Sequence, residues 1–352
     1  MEIPEMFRSA EHHKRGFVNG LRTVAQSDEI NAAILLAASY SQSPGLFDQE
    51  LRAAQGEALR RICEKYKAQL GSLVKSERED IAVLRGIRDL ARNGLPPTRT
   101  RVIDGIWVAQ FNPVRGLRPS RGASRPVVSI YEHEPWETLK LHFDMDRVQS
   151  ERIWEGKLGE GELGDRFTSL FLNMFPFADC HGVLVPDRGK HYRQELSKDL
   201  HAWAWSVVRL VGARIPSFGM GYNSLGAYAS VDHLHWQTFI DPAGLPVTDA
   251  RWLHNGGDLP YPLPCTKFVD ERGSWGWIQD RHNADRPYNL IYTPAGVFCF
   301  ARGFQGSYTH AGWTSGFAWY ECGGGMIAFR GPDYDALTPA MILCEYANMS
   351  IA

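Results

Sequence analysis

The chain has 352 residues and a mass of 39.6 kDa, which is about two domains at a typical domain size. Hydrophobic residues make up 44% and charged residues 22%, a composition that is typical of globular proteins and excludes global disorder. The net charge of −2 and the pI near 6.6 argue against a nucleic-acid partner.

The sequence carries no obvious targeting segment. The longest apolar candidate, residues 32–39, is far shorter than the roughly 20 residues of a membrane helix, so we expect no membrane association. The first residues lack a basic segment followed by an apolar one, and we therefore expect no secretory signal. The six cysteines are scattered without a Cys-x-x-Cys pair, which favours reduced thiols and a cytoplasmic location.

The first 95 residues have the composition and spacing of helices. Residues 50–70 and 77–92 mix Ala, Leu, Glu, Arg and Lys with a helical period. The second segment stops at Asn93 and Gly94, with prolines at 96 and 97. We therefore predict an N-terminal helical region at 1–95 and a second domain at 96–352.

Strands dominate the predicted second domain. A helix is expected at 195–211, and residues 241–285 have the Gly, Pro and Asp content of long loops. The strand candidates are 101–103, 106–111, 127–131, 139–143, 167–173, 184–185, 227–240, 288–292, 297–301 and 326–329. The pattern predicts an α+β fold in which hairpins pair the strands and helices pack to one side. No Gly-x-Gly-x-x-Gly or phosphate-loop motif appears, so a doubly wound nucleotide fold is not expected.

The stretch from Gly221 to Gln237 concentrates polar groups that can do chemistry. If residues 227–240 are a strand, His233, His235 and Gln237 share one face, and Asp232 points away from His235. Asn223 and Ser230, which lie in the small-residue approach to this strand, can donate hydrogen bonds to phosphate oxygens. This pattern favours a polar site on a rigid strand.

Two plainer interpretations of the same residues remain open. The histidines can be structural side chains with satisfied hydrogen bonds. They can also be a metal pair, because alternate histidines on a strand are frequent ligands. No third ligand of the right kind lies nearby in sequence, so we expect no metal and no cofactor.

The segment His233-Leu234-His235-Trp236-Gln237 resembles the His-x-His-x-Gln signature of the nucleotidyl-transferring branch of the histidine-triad superfamily. The wider string from Gly221 is most similar to GDP-hexose phosphorylases, where Asp232 takes the place of an Asn. Residues 173–186 resemble that family's Asn-x-x-Pro and His-x-Leu-x-Pro strand, with Asn173 and His181 in the Asn and His positions. Residues 110–119 are similar to its Gln-Leu-Asn and Arg-Pro segment, and residues 287–291 and 325–334 resemble its C-terminal strands. The resemblance covers roughly residues 98–336.

This resemblance implies a fold like that of galactose-1-phosphate uridylyltransferase, an antiparallel sheet with packed helices. It also implies a phosphorylase that acts on a nucleoside-diphosphate sugar through a nucleotidyl-histidine intermediate and uses inorganic phosphate. His235 would be the nucleophile, His233 would order the site, and Gln237 would hold phosphoryl oxygens. Asn223, Ser230, Arg115, Arg118, His181 and Asn173 are the candidate substrate or phosphate ligands.

The arginines could instead form a solvated basic loop, since residues 98–125 contain six of them against Asp104. Other reactions would also fit the motif. Water as acceptor gives a hydrolase, a sugar phosphate gives a transferase, and a dinucleoside polyphosphate could replace the sugar nucleotide. A non-catalytic nucleotide-binding protein is a further alternative, which a trapped covalent nucleotide would distinguish from an enzyme.

Overall fold

The computed structural model describes residues 3–71, 79–119, 126–139, 142–159 and 165–350, without the side chains of 146 and 147. Two of the six arginines, Arg121 and Arg125, and part of the strand predicted at 139–143 lie outside these residues. Over the described ranges, no helix is both long enough and apolar enough to cross a membrane.

Helices fill the first quarter of the chain and recur after residue 145. They are α1 (Ala10–Ala25), α2 (Ile30–Gln42), α3 (Gln49–Lys65), α4 (Lys67–Gly71), α5 (Glu79–Ala91), α6 (Asp146–Gln149), α7 (Lys198–Gly212), α8 (Glu271–Asn283), α9 (Trp319–Cys322), α10 (Gly331–Ala336) and α11 (Pro339–Met349). The helical character predicted for residues 1–95 is confirmed in the described part of that range. Side-chain caps explain several of the starts: Ser9 accepts from the third backbone N–H of α1, and Asp48 does the same for α3.

The strands form two sheets. They are β1 (Arg99–Ile103), β2 (Trp107–Phe111), β3 (Arg152–Leu158), β4 (Arg166–Leu172), β5 (Asp179–Pro186), β6 (Phe218–Asn223), β7 (Trp236–Ile240), β8 (Thr266–Phe268), β9 (Tyr288–Thr293), β10 (Gly296–Ala301) and β11 (Gly325–Ala328). In the described residues the large sheet has the order β3-β4-β5-β7-β6-β9-β10-β8 with antiparallel neighbours. The small sheet has the order β1-β2-β11, and β11 runs parallel to β2. The predicted α+β class and antiparallel sheet are confirmed.

Each face of the large sheet has its own hydrophobic core, because successive side chains of a strand point to opposite faces. On one face, Trp236 and Ile240 of β7 join a cluster that includes α7 and the N-terminal helices. On the other face, Phe239 packs with the C-terminal residues around Trp319. Helix α1 and strand β3 approach closely at Gly20, where an added Cβ would lie 2.1 Å from Ile153 Cγ2. The N-terminal helices thus share a core with the sheet, and a domain boundary near residue 95 stays a prediction.

The predicted strand at 227–240 is wrong over most of its length. Only Trp236–Ile240 forms β7, and residues 224–235 are a loop between β6 and β7. Tyr228 has a φ of +69°, which lies outside the β region that a regular strand requires. His233 and His235 therefore precede the strand, and alternation along a strand does not set the direction of their side chains.

Three other predictions also need correction. Residues 127–131 form an irregular segment and a turn, and the described part of 139–143 is not a strand. The expected long loop at 241–285 contains β8 and α8. Asp270 caps α8 by accepting from the N–H of Gly273, a local signal that the Gly and Trp content of the helix obscured.

Candidate active site

The ring of His235 has a defined tautomer. Its Nδ1 lies 2.8 Å from the carbonyl oxygen of His233, which can only accept, so Nδ1 carries the proton. Nε2 is therefore the nitrogen with the free lone pair, and among the described residues it has no hydrogen-bond partner. Burial lowers the pKa of His235 to about 4, against a smaller opposing effect of that backbone hydrogen bond. At neutral pH the site presents an uncharged imidazole with its lone pair available.

Gln194 holds the backbone of His235 from both sides. Its Oε1 accepts from the N–H of His235 at 2.9 Å, and its Nε2 donates to the carbonyl of His235 at 3.2 Å. The same Nε2 donates to the carbonyl of Asn223 at 2.9 Å, at the end of β6. Gln194 is 1% exposed, so these bonds form without competition from water. Sequence reasoning missed Gln194, and the stretch around it carries no recognisable motif.

His233 lies behind His235. Its Nδ1 accepts from the backbone N–H of Phe143 at 3.2 Å, which places its own proton on Nε2. Its ring packs against Phe143 and Trp136, and burial lowers its pKa to about 3. His233 contributes its carbonyl to the His235 tautomer and its ring to the packing behind the site.

Gln237 presents its amide nitrogen to the site. Its Oε1 accepts from His181 Nε2 at 3.0 Å and from Trp319 Nε1 at 3.1 Å. An indole N–H can only donate, and His181 Nδ1 accepts from the N–H of Phe177, so both partners require the oxygen at this position. The Gln237 Nε2 group is left to donate elsewhere and has no acceptor among the described residues. Trp319 belongs to α9, and the sequence patterns gave no sign of this contact.

His235 and Gln237 open onto a cavity of about 740 Å³. The structure brings six of the nine predicted site residues to its wall: Arg115, Arg118, Asn173, Ser230, His235 and Gln237. The remaining three, Asn223, His181 and His233, do not line it. Their polar atoms support the lining residues from behind.

The two arginines enter the cavity from the turn after β2. Burial lowers the pKa of Arg115 to about 9, with a further lowering by the charge of Arg118, and the guanidinium stays charged at neutral pH. Arg115 donates to the carbonyl of Phe175 and lies 4.3 Å above the Phe177 ring. The charge of Arg118 also lowers the pKa of His235, which is consistent with a short separation from the nucleophile. This arrangement differs from a solvated basic loop.

Asn223 and Asn173 each use the amide oxygen for a structural bond. Asn223 Oδ1 accepts from Asn289 Nδ2 at 2.7 Å and from the N–H of Trp319 at 3.0 Å. Asn173 Oδ1 accepts from the N–H of Phe175 at 3.0 Å. Asn173 lines the cavity, whereas Asn223 joins β6, β9 and α9 beside it.

The expected outward orientation of Asp232 is wrong. Asp232 lines the cavity and is 6% exposed. Its carboxylate accepts from the N–H of Gln194 at 3.0 Å and lies 3.1 Å from Arg193 Nη1 and 3.0 Å from His133 Nδ1. These contacts compensate its charge, so its repulsion of a substrate phosphate is reduced.

Metal binding was the competing interpretation of this motif. Within the described part of the chain, no group of three or more His, Cys, Asp or Glu side chains is arranged to hold a metal ion. All six cysteines are free thiols.

The comparisons with known proteins agree with this geometry. Residues 87–239 match the model of the family described as GDPGP1-like, N-terminal domain. GDP-D-glucose phosphorylase 1 of Danio rerio is 28% identical over 166 residues, 45% of this chain and 45% of that protein. GDP-L-galactose phosphorylase 1 of Arabidopsis thaliana is 28% identical over 196 residues, 51% of this chain and 42% of that protein. The match thus spans about half the length of these curated relatives.

A solved structure extends the likeness to the fold. The crystal structure of yeast Ap4A phosphorylase Apa2 in complex with AMP superposes with a TM-score of 0.50 at 14% identity, over 72% of this chain and 88% of that one. At this identity the match concerns the fold alone.

The fold places the chain in a structural class of α+β proteins that includes this Ap4A phosphorylase. Within that class the chain resembles the GDP-hexose phosphorylases, and the matched residues 87–239 include the entire motif from Gly221 to Gln237.

Proposed function

We propose that this protein is a phosphorylase of nucleoside-diphosphate sugars of the GDP-hexose type, working through a nucleotidyl-histidine intermediate. The observation that carries the proposal is the neutral His235 ring, whose Nε2 lone pair opens onto a cavity that two arginines also line. The similarity to GDP-D-glucose and GDP-L-galactose phosphorylases supports the substrate class.

In the first half-reaction the lone pair of His235 Nε2 attacks the phosphorus next to the nucleoside. An N–P bond forms and the bond to the bridging oxygen breaks, so a sugar 1-phosphate leaves with the electron pair. The proton stays on Nδ1 and keeps its hydrogen bond to the His233 carbonyl, which stabilises the positive charge that develops on the ring. Gln237 Nε2 donates to the non-bridging oxygens as their charge grows.

In the second half-reaction an oxygen of inorganic phosphate attacks the same phosphorus. The N–P bond breaks, its electrons return to Nε2, and a nucleoside diphosphate is released. Arg115 and Arg118 supply the cationic groups that a dianionic acceptor needs, and forked hydrogen bonds suit phosphate oxygens. Ser230 and Asn173, also on the cavity wall, are the further ligands we assign to the substrate.

The proposal is tested by incubating the protein with GDP-hexoses, with and without phosphate, and separating the products by charge. We expect phosphate to raise turnover at least about tenfold, a difference of about 1.4 kcal/mol, with GDP and a hexose 1-phosphate as products. Equal release of GMP with and without phosphate would assign water as the acceptor and refute the phosphorylase. His235→Ala should lower turnover by on the order of 10³-fold, while His12→Ala, on α1 and away from the cavity, serves as the control.

We further propose that the enzyme works in the cytoplasm. Its six unpaired thiols suit a reducing compartment. For the chemistry itself, an acid-labile, base-stable adduct on the intact protein would support an N–P bond to histidine.

A further inference from the structure

A second polar chain lies behind the loop that precedes His235, in residues that the proposed mechanism does not use. The Tyr228 hydroxyl contacts His310 Nε2, and His310 Nδ1 lies 2.9 Å from Glu345 Oε2. Glu345 belongs to α11 and is 1% exposed, and its second oxygen accepts from the N–H of Ala311 at 2.7 Å. His310 and Glu345 lie well beyond the matched residues 87–239.

The chemistry of the partners determines which group donates to Glu345. A carboxylate can only accept, so His310 Nδ1 donates to Glu345. The Tyr228 hydroxyl, which can donate or accept, pairs with Nε2 of the same ring. We refer to Tyr228, His310 and Glu345 as the Tyr–His–Glu chain, and each of its groups is satisfied.

The Tyr–His–Glu chain holds a loop whose backbone conformation is unfavourable by itself. Tyr228 has φ of +69°, a left-handed conformation that costs a non-glycine residue free energy unless its surroundings impose it. The N–H of Tyr228 donates to Gln305 Oε1 at 2.8 Å, and the carbonyl of Gly226 accepts from the N–H of Gln305 at 2.7 Å. Asn289 Nδ2 donates to the carbonyl of Ala227 at 3.0 Å.

Two C-terminal residues also approach the ring of Tyr228 closely. The Arg302 guanidinium lies 4.9 Å from the ring centroid. Gly316 approaches the ring so closely that a Cβ there would lie 2.2 Å from Tyr228 Cζ, and its φ of +116° favours glycine as well. The ring of Tyr228 is therefore packed against C-terminal residues.

The residues before and after Tyr228 in the loop line the cavity. Leu225 and Gly226 line the cavity before it, and Ala229 and Ser230 line it after, whereas Tyr228 does not. A displacement of Tyr228 would consequently move Ser230 relative to His235.

We propose that the Tyr–His–Glu chain is a positioning device that holds the loop 225–230, and Ser230 above all, against the phosphates of the bound nucleotide. Tyr228, His310 and Glu345 are positioning residues and take no part in bond making. The inference rests on the proposed nucleotide substrate, and it assigns to the C-terminal helix α11 a function in substrate binding.

The test compares Tyr228→Phe, which removes only the hydroxyl, with Ser230→Ala and the double variant. Loss of one buried hydrogen bond should lower kcat/KM for the GDP-hexose about three- to tenfold. If Tyr228 acts through Ser230, it should cost much less in the Ser230→Ala background, so that the two effects are non-additive. Tyr308→Phe is the matched control, because Tyr308 packs on the same His310 ring at 4.5 Å but has no hydrogen bond to the loop.

Glu345→Gln and Glu345→Ala separate positioning from folding. The Gln amide has one acceptor oxygen where Glu345 uses two, so it can keep the bond from His310 only at the expense of the bond from the Ala311 N–H. Gln should therefore retain part of the kcat/KM that Ala loses. Additive effects of Tyr228→Phe and Ser230→Ala, or equal losses in Tyr228→Phe and Tyr308→Phe, would refute the proposal.

GDP affinity, measured by calorimetry on the same variants, keeps the two proposals distinguishable. A wild-type protein that binds GDP but does not phosphorolyse GDP-hexoses would refute the proposed function only. In that case, weaker GDP binding by Tyr228→Phe, absent in the Ser230→Ala background, would still support the chain as a positioning device. Unchanged GDP affinity and unchanged kcat/KM in Tyr228→Phe would overturn it.

Discussion

Replacing Gln194 by Ala should damage both the stability of the protein and the placement of its nucleophile. The change removes three buried hydrogen bonds, two to the backbone of His235 and one to the carbonyl of Asn223. The orphaned N–H and carbonyls each lose about 1–3 kcal/mol of hydrogen-bonding free energy unless water enters. Allowing for such relaxation, we expect the free energy of unfolding to fall by about 3–5 kcal/mol.

Gln194→Ala should also lower the catalytic rate of the molecules that remain folded. A shift of His235 by about 1 Å from an in-line geometry can lower the rate on the order of 10²-fold. The assay is formation of the nucleotidyl adduct in a single turnover without phosphate, at a temperature where circular dichroism shows the variant folded. Gln194→Glu keeps the acceptor for the His235 N–H but sets a buried carboxylate oxygen against the carbonyls of Asn223 and His235, so its rate should be at least as low as that of Ala.

Gln26→Ala, at the exposed C-terminal end of α1, is the control for loss of a glutamine side chain. A folded Gln194→Ala variant that forms the adduct at the wild-type rate would refute the view that Gln194 positions His235.

Four further predictions follow from the groups around the nucleophile. Arg118→Ala should lower kcat/KM for the GDP-hexose or for phosphate by an amount equivalent to roughly 1.5–3 kcal/mol. Arg118→Lys should restore only part of this loss, because Lys lacks the forked donor. Unchanged kcat/KM for both substrates would indicate a solvated side chain. The rate of adduct formation should stay high down to about pH 5, because the pKa of His235 is lowered to about 4, and an acid limb at pH 6.5 would contradict this. The free energy of unfolding, followed by thermal melts, should fall as the pH drops from 6.5 towards 4. The reason is that the unfolded chain binds protons at His181, His233 and His235, whereas burial keeps these rings neutral in the folded protein. Stability independent of pH over this range would show that the rings are not held neutral. Activity should also survive prolonged chelation, since the attacking group is an imidazole nitrogen; loss that one equivalent of metal restores would favour a metal enzyme.

The motif residues were predictable because their chemistry is local in sequence. His235 and Gln237 lie two positions apart, and the turn from a loop into β7 brings both to one cavity wall. Arg115 and Arg118 were found from the same kind of short pattern. The helical first quarter and most strands also carry local signals, namely hydrophobic period and side-chain caps.

Contacts between distant parts of the chain were beyond reach. Gln194 meets His235 across 41 positions, and Trp319 meets Gln237 across 82. Nothing in the sequence around Gln194 or Trp319 marks these partners. The loop at 224–235 was mistaken for a strand because its small and apolar residues resemble one, whereas its conformation depends on Gln305, Asn289 and His310.

The pairing of β11 with β2 has a consequence for the order in which the protein assembles during synthesis. Strand β2 leaves the ribosome more than 200 residues before β11, yet the two are neighbours in the small sheet. Trp319, which fixes the Gln237 amide, is also made late. A nascent chain that ends after the motif therefore contains every proposed catalytic side chain, but it lacks Trp319, which orients the Gln237 amide. We expect the proposed activity to appear only after residues 319–328, which contain Trp319 and β11, have left the ribosome.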